Sequence, residues 1–269
     1  MTGSLRHPAR ERRTLASIVA LLLVLTGCET PGIGGPSSSA ENRAARMARN
    51  AEHGAAAAAY MELAVDAVGT ERDRYTLLAV EQYLDAGDVY RARSNFRNVA
   101  RPTAGELAPL WTTNRAALHL YNGQPEEALG LLEPLSRRPL SRRDRLRVEA
   151  LRADAWIQQQ DPARAVELMT QRESWVEDRR GIEQNRKRLW QGLLASSPRV
   201  LRNAAETAID PEMRGWLAIG SLAASTGQQG VGWSNGYVRW REQHPGHPAM
   251  TVLRDLDIPE HLLLEYPRQ

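Results

Sequence analysis

Gly87-Asp88-Val89-Tyr90-Arg91-Ala92, Gly123-Gln124-Pro125-Glu126-Glu127-Ala128 and Gln160-Asp161-Pro162-Ala163-Arg164-Ala165 repeat one pattern three times. Each begins with a turn and runs into a helix start. The closing alanines lie 36 and then 37 residues apart. Four residues beyond them stand Phe96, Leu132 and Met169. Four residues before each turn stand Tyr83, His119 and Trp156. In a helix–turn–helix unit, a small side chain at 92, 128 and 165 lets the second helix approach the first. The bulky residue one turn later fills the space beyond that approach. No such pair covers its apolar face alone, so neighbouring pairs must stack.

This period resembles the tetratricopeptide repeat, a helical hairpin of about 34 residues. The expected fold class is all-α, a tetratricopeptide-like helical-hairpin solenoid. From residue 41 onward alanine, leucine, glutamate and arginine dominate, and no stretch alternates with period two. Helix starts are marked at Asp161-Pro162, Ser197-Pro198 and Asp210-Pro211, each a capping residue before a proline at the first helical position. Ser141, three residues before Asp144, is a weaker start. Beyond the three copies the spacing predicts helices near 182–194, 198–208, 211–225 and 230–243. Trp190, Trp216, Trp233 and Trp240 lie in them. They read as degenerate continued stacking that ends at His244-Pro245-Gly246-His247-Pro248.

The other end of the chain addresses the protein. Arg6, Arg10, Arg12 and Arg13 precede an apolar run from Leu15 to Leu25, which is too short to span a bilayer as a helix. Leu25-Thr26-Gly27-Cys28 follows and resembles the bacterial lipobox. The resemblance implies cleavage before Cys28 and lipidation of its thiol, the only cysteine in the chain. Residues 1–27 are therefore read as a lipoprotein signal peptide and 28–40 as a lipid-anchored flexible Gly/Pro/Ser linker. Residues 41–269 are the helical domain. Glu29 follows the cysteine; the absence of aspartate there resembles the outer-membrane default, so a lipid-anchored protein on the periplasmic face of the outer membrane is expected. Losing residues 1–27 removes four arginines and Glu11, leaving 31 basic and 31 acidic side chains. A body without net charge has no overall electrostatic drive toward nucleic acid.

Chemistry is thin. Six histidines are scattered, and His244 and His247 have a spacing that could meet a metal on a helix. The prolines among them break the helix, so no metal site is assigned. Glu173-Ser174 superficially matches the start of a lytic transglycosylase site, but a raised glutamate pKa needs an apolar pocket. Arg172 beside it reads instead as a solvated ion pair. No glycine-rich phosphate loop and no serine–histidine arrangement stands out. The chain is read as non-enzymatic, without cofactors and without a small-molecule substrate. The densest charge is the run Arg137, Arg138, Arg142, Arg143 and Arg145, continued by Arg147 and Arg152. It is either a solvated helix face balanced by Asp144, Glu149 and Asp154 or a contact for an anionic partner.

Two stretches carry a more specific resemblance. Arg214-Gly215-Trp216-Leu217-Ala218-Ile219-Gly220 and Trp240-Arg241-Glu242-Gln243-His244-Pro245-Gly246-His247-Pro248-Ala249 resemble the LpoA-type penicillin-binding-protein activators. The closing Tyr266-Pro267-Arg268-Gln269 is similar to that family's link into a second, α/β domain like a periplasmic binding protein. The resemblance spans roughly 45–269 and implies the family's N-terminal helical domain only. It implies a non-catalytic outer-membrane lipoprotein that regulates peptidoglycan synthesis by binding a class A penicillin-binding protein. In the family the α/β domain is chiefly credited with docking to that synthase, so contact by this chain alone is expected to be weak at most and is assigned to the arginine run. The rival readings are a lipoprotein subunit of outer-membrane protein assembly and a wall-cleaving lytic transglycosylase.

Overall fold

The computed structural model describes residues 38–102 and 105–254; Cys28 and the closing Tyr266–Gln269 lie outside them. The described residues are all-α, with thirteen helices arranged as a stack of hairpins. The pairs are α1 (Ser39–Arg49) with α2 (His53–Asp66), α3 (Gly69–Asp85) with α4 (Val89–Phe96), and α5 (Leu107–Tyr121) with α6 (Pro125–Ser136). Then come α7 (Arg142–Gln158) with α8 (Pro162–Glu173), α9 (Arg179–Ala195), α10 (Pro198–Thr207), α11 (Pro211–Thr226), α12 (Gly230–Gln243) and the short α13 (Met250–Leu253).

The repeated turn is one hydrogen-bonded device. In it a residue in the left-handed region ends the first helix, and the next N–H reaches back to the carbonyl five positions earlier. Gly87 (φ 77°), Gly123 (φ 68°) and Gln160 (φ 60°) take the left-handed position. The N–H groups of Asp88, Gln124 and Asp161 donate to the carbonyls of Tyr83, His119 and Trp156 at 2.8, 3.0 and 2.8 Å. Thus the three bulky residues seen before each turn mark the last turn of the first helix. A fourth copy precedes them: Ala51 has φ 62°, and Glu52 N–H donates to the Met47 carbonyl at 2.9 Å. Alanine replaces glycine there, at a modest strain cost.

Counting four positions into the second helix of each hairpin gives Ala56, Ala92, Ala128 and Ala165, all 0% exposed. Phe96 packs on the core edge, and Leu132 and Met169 are buried one turn later. The small-residue register is therefore the contact that sets the hairpin spacing. In α10 and α12 the same position holds Leu201 and Trp233, both buried. Here the pairing itself changes, with α10 packed most closely on α11 and not on α9. The α9–α10 junction at Ser196 is extended, and α10 packs against α8 and α11. Ala128→Trp is expected to overpack the α5–α6 pair and cost about 1–3 kcal/mol. The exposed Glu126→Gln should stay within about 0.5 kcal/mol. Equal thermal midpoints for the two variants would refute this register.

Helix boundaries follow the sequence. Asp161 Oδ1 accepts from Arg164 N–H at 3.3 Å, Asp210 Oδ1 from Met213 N–H at 2.7 Å and Ser141 Oγ from Asp144 N–H at 3.1 Å. Ser197 makes no such bond; its own N–H instead donates to Gln160 Oε1 at 3.4 Å, tying two successive turns together. Buried apolar side chains form two clusters. One runs from α1 to the middle of α7, and the other continues from α7 to α13. Trp156 packs against both and joins them.

Candidate partner-binding surface

The arginine run begins at the end of α6 and enters α7, and the helix divides it between two faces. Arg137 and Arg138 are exposed in the connection, and Arg142 pairs with Glu177. Arg145 lies over the Trp175 ring at 5.5 Å and donates to the Arg138 carbonyl at 3.4 Å. These side chains, with Trp175 and Glu177, form an outward rim. Arg143 and Arg147, one helical turn apart, point to the other side. There Arg143 Nη2 meets Glu81 Oε1 at 2.8 Å, and Arg147 Nη1 meets Asp85 Oδ1 at 2.6 Å. Arg152 is held by Glu133 at 2.7 Å and Glu149 at 2.5 Å. The balancing acids named from the sequence thus serve differently. Glu149 pairs with Arg152, Asp144 closes the Ser141 cap, and Asp154 turns to Arg188 on α9.

Inward of Arg147 a cleft of about 190 Å³ opens between α3, α5, α7 and α9. Leu84, Ala117, Leu120 and Leu151 form its apolar lining, and Asp85, Tyr121, Arg147, Asp154, Gln158 and Arg188 its polar lining. The first helices of successive hairpins supply it, which is why charged residues 62 positions apart meet. Side chains also stitch these helices together. Tyr121 donates to the Leu84 carbonyl at 2.5 Å, Gln158 to the Leu120 carbonyl at 3.2 Å, and buried Asn114 to the Leu77 carbonyl at 2.8 Å. The Asp154 carboxylate and the Asp85 carboxylate hold the Arg188 and Arg147 guanidinium groups above the ordinary arginine value; for Arg147 burial acts the other way and is outweighed.

Glu173 is not paired with its neighbour. Both of its oxygens are held by Arg186 on α9 at 2.9 Å, so it bridges two helices. Arg172 instead donates to the Leu146 carbonyl at 2.8 Å and to Asn185 Oδ1 at 2.5 Å. Sequence reasoning about adjacent residues missed this, because neighbours on a helix project about 100° apart.

The two stretches that carry the family resemblance form one packing unit. His247 is buried against Trp216 and Trp240, with ring centroids 5.4 and 5.1 Å away and both contacts edge-on. Trp240 Nε1 donates to the Gly215 carbonyl at 2.8 Å. A Cβ at Gly215 would lie 2.5 Å from His247 Nε2, so glycine is needed where the His244–Pro248 turn crosses α11. His247 Nε2–H donates to the Glu212 carbonyl at 2.8 Å, and Nδ1 accepts from Ala249 N–H at 3.1 Å. Both nitrogens are therefore committed in the neutral ring, which leaves neither for a metal. Among the described residues no group of three or more His, Cys, Asp or Glu is placed to hold a metal ion.

Burial pushes the His247 pKa below its ordinary value, with His244 adding to the effect. A second proton would have to displace the Ala249 bond. The unfolded chain, titrating near 6.5, takes up that proton first, so this group's contribution to stability is lost as pH falls below about 6.5. The slope is at most about 1.4 kcal/mol per pH unit. An NMR titration should show the His247 ring ionising below free histidine and carrying its proton on Nε2 at neutral pH. A midpoint at or above about 6.5 would contradict the buried, doubly committed ring.

The fold is similar to solved structures of LpoA from Haemophilus influenzae. Against the full-length protein the identity is 18% and the TM-score 0.59, covering 79% of this chain and 39% of that one. Against its N-terminal domain the identity is 19% and the TM-score 0.58, covering 79% of this chain and 94% of that domain. The chain thus spans well under half the length of the full-length relative and nearly all of the helical domain. At this identity the likeness establishes the fold. No curated protein matches the chain in sequence. Residues 50–259, which contain both stretches of the Gly215–His247 unit, match the family model described as LppC putative lipoprotein, and the chain belongs to that family.

Proposed function

We propose that this protein is a non-catalytic outer-membrane lipoprotein that regulates peptidoglycan synthesis by engaging a class A penicillin-binding protein. Cys28 carries the lipid, the residues between it and α1 are the tether, and the helical stack reaches toward the wall. The observation that carries the reading is the LpoA-like architecture of the stack together with the lipobox ending at Cys28. Activation of a synthase by such a body comes from preferential binding to one of its conformations. The rim of Arg137, Arg138, Arg142 and Arg145 supplies the contact; Arg143, expected in the same patch, is turned to Glu81 on the other face. Being exposed, such a contact weakens as salt rises, because charges beyond about 8 Å are screened at physiological ionic strength.

The test is cross-linking by a purified class A synthase with and without the helical protein, at low and high salt. Binding that falls with salt, and that falls again in an Arg137→Ala/Arg138→Ala/Arg142→Ala variant, is expected. No association with any class A synthase at low salt would overturn the partner. Mass spectrometry of envelope-extracted protein tests the anchor, which an unmodified Cys28 thiol would exclude.

A further inference from the structure

One cation beside the inner face has no carboxylate of its own. Among the described residues each inner carboxylate holds a different guanidinium: Glu81 with Arg143, Asp85 with Arg147, and Asp154 with Arg188. Arg172 is packed beside this set, bound to the Leu146 carbonyl and to Asn185, and pairs with no carboxylate. Arg147 also keeps a buried Nε–H without an acceptor. Asp144 also reaches Arg143 at 3.5 Å, so what is unmet is local: Arg172 beside the cleft, and the Arg147 Nε–H in its lining. Burial, with Arg188 and Arg147 close by, pushes the Arg172 guanidinium down to about 10, as expected for a cation short of a counter-ion.

The lining narrows what could occupy the cleft. Arg147 and Arg188 sit near Asp85 and Asp154, so cationic and anionic groups alternate around an apolar floor of Leu84, Ala117, Leu120 and Leu151. A dianion such as phosphate would meet both carboxylates. A single carboxylate that brings an aliphatic side chain and an N–H donor matches all three components. We propose that the cleft between α3, α5, α7 and α9 binds the C-terminal residue of a peptide. In this arrangement the carboxylate faces Arg147 and Arg188, the small side chain rests on Leu120 and Leu151, and the N–H faces Asp85 or Asp154. Tyr121, half-exposed at the mouth, covers the penultimate residue. This site is distinct from the outward rim and requires no synthase.

The experiment is calorimetric or NMR titration of the lipid-free protein with N-acetyl-alanyl-alanine and with the same peptide as its C-terminal amide. D- and L-alanine versions serve as separate arms. The acid is expected to bind, and the amide at least about tenfold more weakly, since a charge-assisted pair is lost. Preference for the D form would mark a wall stem peptide as the source, and preference for the L form a protein terminus. Tyr121→Ala should weaken the acid several-fold; it also removes the bond to the Leu84 carbonyl, so its thermal midpoint is measured alongside. Arg188→Lys should weaken it further while keeping a cation beside Asp154. No binding of the acid at millimolar concentration, equal binding of acid and amide, or indifference to both substitutions would overturn the proposal.

Discussion

Trp216→Ala is expected to be the most damaging single truncation in the chain, costing about 3–5 kcal/mol. The indole is 1% exposed, the largest side chain buried to that degree among the described residues. It lies at the meeting point of α11 and the turn after α12. Removing it leaves a cavity against the His247 ring and takes away the partner that orients that ring. For a domain of this size the loss should appear as a fall in thermal midpoint of roughly 6–20 °C. Trp175→Ala, at the partly exposed rim, should cost far less. Gly215→Ala should reproduce part of the defect without removing any apolar surface, because the added methyl meets the His247 ring at 2.5 Å. If Trp216→Ala and Trp175→Ala melt at the same temperature, the Gly215–Trp216–His247 unit is not what holds the C-terminal hairpins together.

Asp85→Ala should cost a comparable amount, about 3–5 kcal/mol, for a different reason. The Arg147 side chain is 12% exposed, and the carboxylate 2.6 Å from it is its principal counter-charge. Taking that carboxylate away strands a desolvated cation close to Arg188 and Arg172. Replacing both partners with apolar residues, Asp85→Leu with Arg147→Met, should recover most of the loss, because the desolvation cost disappears along with the attraction. Equilibrium denaturation of the two single variants and the double variant closes a thermodynamic cycle. A loss below about 0.5 kcal/mol for Asp85→Ala would mean that water screens the pair.

The hairpin register was legible in the sequence because it is local. A left-handed turn residue, an alanine four positions into the next helix and a bulky residue before the turn all lie within about fourteen residues, and each has its own steric reason. The first hairpin escaped notice because Ala51 stands where Gly87 and Gly123 mark two of the other turns, and no Asp-Pro cap follows it as one follows Gln160, although its backbone is the same. The caps were readable for the same local reason, apart from Ser197, whose partner Gln160 belongs to the previous hairpin. The predicted helices over 182–194, 198–208, 211–225 and 230–243 correspond to α9 through α12.

The arginine run shows where legibility ends. Read linearly, its members from 137 to 152 form one patch. Helical phase already separates Arg143 and Arg147 from Arg142 and Arg145, but it does not say what each face meets. Glu81 and Asp85 come from two hairpins earlier, and Arg188 from the hairpin after. The same holds for Gly215 and His247, which are 32 residues apart and whose contact explains why both are specified. By itself, the sequence determined the helical class and the hairpins from α3 to α8, since these follow from contacts between near neighbours along the chain. Only the tertiary structure decided which charges are buried and which face the solvent. Stacking carries the first helices of successive hairpins side by side, and the resulting cleft is built from residues that no local pattern connects.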